Sequence, residues 1–268
     1  MMEKSFLERI QIFDENYPRI QEEIALAAEK AGRRPQDITL LAATKTVPLE
    51  VINHAIDSGL SAMGENRVQE LLEKYDGLHR EKCDIQFIGQ LQTNKVKYLV
   101  GKVSCIQSVG SVKLAKEISR LCLREGATMK VLVEVNIGRE ESKGGVLPEA
   151  LFEVVDEIRT LPGLHVEGLM AIPPICEKKA ELCGYFSAVR QSYVDIAAKK
   201  LDNVSMNCLS MGMSSDFQEA IACGAPWCGW APRCLGKEII PSTTTRFRRY
   251  LLYGRIGRKA SKNVESAR

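Results

Sequence analysis

At 268 residues the chain is long enough for one large domain or two small ones, and α/β barrels often run to this length as a single domain. An apolar fraction of 45%, a charged fraction of 26% and a formal net charge of +3 are those of an ordinary globular protein and nominate no particular partner. The charged start (Met1-Met2-Glu3-Lys4) argues against a secretory leader, and no apolar run is long enough to span a bilayer.

Apolar residues at helical spacing over 6–31, with Pro18 as a break, predict two helices or one kinked helix ended by Gly32. The stretch 37–48, DITLLAATKTVP, follows. Its nearly continuous apolar run from Ile38 to Ala43 suits a strand buried on both faces, as in parallel sheets. Pro48 stops it and opens a short helix over 49–58. Lys45 therefore stands at the carboxyl end of a buried strand, where α/β folds hold their ligands, and partial burial would make its amine nucleophilic enough for a Schiff base. Taken alone, such a lysine more often merely solvates a strand end.

Strand-like and helix-like pieces then alternate. Strands are predicted over 62–65, 85–88, 105–109, 130–136, 165–170 and 204–209. Helices are predicted over 67–75, from the turn at 89–95 through 100, and over 112–124, 148–159, 177–200 and 215–222. Seven β-then-α units with short connections indicate a parallel sheet, and about eight such units close a (β/α)8 TIM barrel. The nine cysteines (83, 105, 122, 176, 183, 208, 223, 228 and 234) are scattered without a C-x-x-C pair and read as reduced thiols of a cytosolic protein. His54, His79 and His165 lie far apart, so no metal site is expected.

At the strand ends, Asn66 could hydrogen-bond a ring hydroxyl or simply form a turn. Ser210-Met211-Gly212-Met213-Ser214 places small hydroxyls and a glycine before a helix start, which suits a phosphate, although Ser215 could equally be a plain N-cap. Lys143, in a polar loop, reads as a solvated charge. A lysine on the first strand and a phosphate cradle near the last would together hold a phosphorylated aldehyde at both ends.

The strings LLAATKT, MGENRVQE, FIGQLQTNK, SVGS, VEVNIGREESKGG, GLHVEGLMAI and LSMGMSSDFQEAI resemble, in order from about residue 24 to 224, the YggS/PROSC-type pyridoxal phosphate homeostasis proteins. The resemblance implies a barrel of the alanine racemase N-terminal-domain type. It implies pyridoxal 5′-phosphate held as a Schiff base on Lys45, Asn66 near the cofactor ring, and Ser210, Gly212 and Ser214 in the phosphate region. It implies a cytoplasmic, monomeric carrier or buffer of the cofactor with no turnover of its own, in transient contact with apo-enzymes that need it. The alternatives are a pyridoxal-phosphate enzyme such as an amino-acid racemase, or nucleic-acid binding through a basic tail.

The pattern breaks after Gly224. The family continues with a motif resembling T-M-V-R-V-G-T-A-M-F-G-K-R-D-Y, its eighth strand, where this chain has APWCGWAPRCLGKEIIP over 225–241. Pro226 and Pro232, with two glycines and two tryptophans, predict that the eighth strand is missing or distorted, leaving the first and seventh strands with unpaired edges. Back-translated from Pro226 with suitable synonymous codons and read from the third base, the segment becomes MVRVGTAMFGKRDYT. We take this as a hypothesis of a one-base frameshift near Ala225, and an intact coding frame without the shifted motif would refute it. On this reading residues 1–237 form one barrel domain. The tail 238–268, with eight Lys/Arg against two Glu, lies outside the fold.

Overall fold

The computed structural model describes residues 6–140 and 143–230. Eight parallel strands close into a barrel in sequence order: β1 Thr39–Ala43, β2 Ala62–Glu65, β3 Asp84–Phe87, β4 Cys105–Val109, β5 Met129–Val135, β6 Leu164–Ala171, β7 Val204–Met211 and β8 Trp227–Trp230. Around it run α1 Phe6–Lys30, α2 Leu49–Asp57, α3 Val68–Tyr75, α4 Val112–Glu125, α5 Leu151–Arg159, α6 Lys179–Ala198 and α7 Phe217–Ala222.

Two apolar layers make this arrangement stable. Inside, Cys105, Leu132, Met170 and Cys208, one from each of β4 to β7, pack together with Ile172 and Trp227 against them. Outside, alternate residues of the same strands, such as Val131, Val133 and Val135 of β5, meet the helices. This two-sided burial is why the strands read as continuous apolar runs.

One expectation is narrowed and two change. Of the two forms expected for the leader, it takes the single helix, which continues through Pro18. Phe13, Tyr17, Ile20, Ile24, Ala27 and Ala28 form a buried face along it, and that burial outweighs the roughly 3 kcal/mol cost of an interior proline. The segment after β3 is a 3₁₀ turn over Thr93–Tyr98, a form suited to short pieces.

The eighth strand, expected missing or distorted, is present. Trp227–Trp230 lies in parallel register along β1, from Thr39↔Trp227 to Ala42↔Trp230, and touches β7 at Ser210↔Trp227. The ladder is made by backbone groups, and the strand occupies only the four residues directly after Pro226. Pro226 needs no N–H there, because it contributes its carbonyl, which accepts the Thr39 N–H at 2.8 Å. The edges of β1 and β7 are thus covered, that of β1 over four residues and that of β7 at one. The tail 238–268 lies outside the described residues.

Candidate functional site at the barrel mouth

Thr44, directly after β1, is fully buried. Its hydroxyl donates to Glu65 Oε1 at 2.8 Å, so its side chain turns toward the end of β2. Lys45 follows, half-buried in a tight turn. Thr46 completes the turn with a φ of +60°, unusual for a β-branched residue, and its N–H donates to Glu70 Oε2 at 2.8 Å.

β2 ends one strand over in Glu65 and Asn66. The Asn66 Oδ1 is buried and has no hydrogen-bond partner. The two other atoms in the same condition, His79 Nδ1 and Glu140 Oε2, both have ionic partners, Asp57 and Lys143. Among the described residues only Asn66 therefore presents a buried side-chain acceptor with nothing to accept, a costly state unless a ligand supplies the donor. Gly89, at the end of β3, lies so close that a β-carbon there would sit 1.9 Å from the Asn66 carbonyl oxygen.

The other side of the mouth is built by β7. Cys208 belongs to the barrel interior, and Ser210, two residues on, shares its face and is buried. Gly212 has a φ of +88°, and a β-carbon on it would lie 2.5 Å from Ala220 Cβ, so only glycine lets the chain pass this close to α7. Ser214, half-buried, lies in the turn where Met213 N–H meets the Asp216 carboxylate. From the turn after α1, Arg33 reaches across to the carbonyls of Ala225 (2.6 Å) and Ile221 (3.3 Å) and fixes the segment between α7 and β8.

Glu134 was not singled out from sequence. On β5 it follows the inward Leu132 by two residues, so it faces the barrel interior near the mouth. Its Oε2 lies over Gly110 and Gly144, where β-carbons would come within 3.6 and 3.7 Å. Burial holds its carboxyl above the usual range, and Lys143 pulls it partly back. The signal was available: a polar residue near the carboxyl end of a strand buried on both faces is placed at the mouth. Glu65 and Lys74 were also missed, since their pairing joins a strand to a helix.

The structure brings Lys45 and Asn66 together just past the ends of adjacent strands, and Ser210, near the end of β7, together with Gly212 and Ser214 just after it. Only β8 separates the two groups. The alanine racemase N-terminal domain family matches residues 16–227. A pyridoxal phosphate homeostasis protein of Aquifex aeolicus is 46% identical over 211 residues, 79% of this chain and 92% of that protein. The chain belongs to the pyridoxal phosphate homeostasis family.

Solved structures agree with this placement. An unknown protein from Bifidobacterium adolescentis superposes with a TM-score of 0.80 at 35% identity, covering 84% of this chain and 95% of that one. PipY of Synechococcus elongatus, solved with pyridoxal phosphate bound, gives a TM-score of 0.70 at 29% identity, covering 80% and 100%. The family barrel accounts for the residues up to β8. The fit to the cofactor is visible in the orphaned Asn66 acceptor and in the glycine passage at 212.

Proposed function

We propose that this chain binds pyridoxal 5′-phosphate and holds it for intracellular cofactor homeostasis, as a carrier or buffer with no turnover of its own. When bound, the cofactor supplies an aldehyde able to condense with a primary amine. Lys45 Nζ provides that amine at the end of β1. Asn66 offers its unpartnered Oδ1 to a donor on the ring side. Ser210, Gly212 and Ser214 form the phosphate side, with the Ser hydroxyls as donors and the glycine admitting the backbone. With neighbouring strands about 4.8 Å apart, β1 and β7 stand roughly 10 Å from each other across β8. A lysine side chain and one pyridine ring bridge that span.

The observation that carries the reading is the buried Asn66 Oδ1 without a donor, one strand from a half-buried lysine. We take residues 1–237 as one barrel domain acting as a cytoplasmic monomer, in transient contact with recipient apo-enzymes. The nucleic-acid alternative rests on a tail outside the described residues.

The test is a visible spectrum of the purified protein loaded with the cofactor, with and without borohydride, followed by peptide mapping. A reduced adduct on Lys45, absent in Lys45→Ala, is expected; an adduct retained at the same strength in Lys45→Ala refutes the assignment. One observation favours a second reading, an amino-acid racemase: Glu134 places a proton-holding carboxyl inside the mouth. Against it, the described tyrosines (17, 75, 98, 185 and 193) all stand on the outer helices and turns, away from the place a second acid–base group would need. Racemisation by the loaded protein that disappears in Glu134→Gln would establish the racemase instead.

A further inference from the structure

Glu65 is fully buried, and each of its partners borders the candidate site. Its Oε1 accepts from Thr44 Oγ1 at 2.8 Å and from Lys74 Nζ at 2.9 Å. Its Oε2 accepts from the Asn66 N–H at 3.3 Å. Lys74, on α3 with its side chain 13% exposed, spends a second N–H on the Thr44 carbonyl at 3.0 Å. Glu70, one helical turn earlier, accepts the Thr46 N–H and, on its other oxygen, Arg67 Nη1 at 3.0 Å. Both residues flanking Lys45 are therefore gripped from α3 and β2, and the left-handed Thr46 is held by the hydrogen bond its turn offers.

A buried ion pair is an expensive way to join a strand to a helix. An apolar pair of similar volume usually holds a fold as well or better. What an apolar pair does not do is fix the direction of three donors at once. Thr44 and Asn66 belong to different strands, and one carboxylate ties the polar groups of both to a single point.

We propose that the Glu65–Lys74 pair is the positioning device of the cofactor site, locking the turn that carries Lys45 to the strand end that carries Asn66 before ligand arrives. This rests on the assignment of Lys45 and Asn66 as cofactor-binding residues. Neither Glu65 nor Lys74 touches the ligand in this scheme; each acts through the residues it holds.

The experiment compares the parent with Glu65→Gln, which turns an amide N–H₂ toward a backbone N–H or loses an acceptor, and with the double variant Glu65→Leu/Lys74→Met. Three readouts are taken: thermal melting, binding of pyridoxine 5′-phosphate, which has no aldehyde and cannot condense, and the rate of borohydride-trapped capture of pyridoxal 5′-phosphate at Lys45. The double variant is expected to melt at or above the parental temperature and to bind pyridoxine 5′-phosphate within about threefold of the parent. Capture at Lys45 is expected to slow on the order of tenfold to a hundredfold in both variants, the scale of a misplaced reacting group. Parental capture rates in a folded double variant would overturn the proposal. So would loss of melting temperature, analogue binding and capture in step, which marks a structural pair only. If the parent itself is not trapped at Lys45, the cofactor assignment fails first, and the positioning role falls with it.

Discussion

Gly212→Ala tests the phosphate side of the mouth through one carbon atom. Two costs can be separated. The residue sits at a φ of +88°, and placing an L side chain in that left-handed region costs about 1–2 kcal/mol. Its new β-carbon would also lie 2.5 Å from Ala220 Cβ and 3.2 Å from Phe217 Cα, and overpacking of this kind adds about 1–3 kcal/mol. Ala220 is fully buried, so α7 must shift or β7 must bend. The sum, about 2–5 kcal/mol, corresponds to a fall in melting temperature of roughly 5–15 °C for a domain of this size. The clash can be relieved without touching the dihedral. Ala220→Gly removes the opposing carbon, at about 1 kcal/mol for a glycine inside a helix. A double-mutant cycle by urea denaturation should therefore show the pair to be less destabilising than the sum of the single changes, by about 1–2 kcal/mol. Additivity within about 0.5 kcal/mol would show that the close passage of chain 212 over α7 is not what demands glycine.

Two further outcomes follow from groups at the same mouth. Asn66→Leu removes an acceptor that is unpaired in the absence of ligand, so the free protein should be as stable as the parent or up to about 1 kcal/mol more stable while cofactor uptake falls; a clear loss of stability would mean that Asn66 is structural. Because burial raises the Glu134 carboxyl above its ordinary value, its contribution to stability is fully present below the unfolded value of about 4.3 and is lost as pH rises through the folded value. Glu134→Gln should therefore match the parent in chemical melts near pH 4 and become the more stable protein as pH climbs, and a pH-independent gap would contradict that burial.

The barrel was legible because its strands are buried on both faces. Runs such as 130–136 and 38–43 carry that fact in composition alone, and β5 and β1 formed within a residue or so of them. The strand-end rule then put Lys45, Asn66 and Ser210 at one end of the barrel. What stayed hidden depends on neighbours from elsewhere in the chain. Glu65 and Lys74 are nine positions apart, and nothing in that spacing shows that a strand end and a helix will share a buried carboxylate. Glu134, a polar residue near the end of an apolar strand, was open to the strand-end rule, but its burial depends on closure of the barrel. The segment 93–98 was expected to start a helix and forms 3₁₀ turns instead.

β8 was misjudged for a different reason, and its test is chemical. Side-chain preference weighs heavily for a strand choosing among partners, but a four-residue segment already delivered to an open parallel edge is chosen by the backbone groups waiting there. Thr39 N–H finds the Pro226 carbonyl, and the register runs from Thr39 to Ala42. Cys228 is carried into full burial by that pairing, its Sγ 3.8 Å from the Thr39 carbonyl oxygen. Burial pushes its thiol up to about 12. An unfolded cysteine titrates near 8.5, so at pH 8 the thiolate fraction of Cys228 is lower by about three orders of magnitude. With iodoacetamide at pH 8 and mass-spectrometric mapping, Cys228 should resist alkylation about a thousandfold longer than in the denatured chain, with the half-buried Cys176 and Cys183 reacting well before it. A frameshifted segment that never docks would label Cys228 at the denatured rate. That result would reopen the barrel between β7 and β1, beside the residues proposed to hold the phosphate.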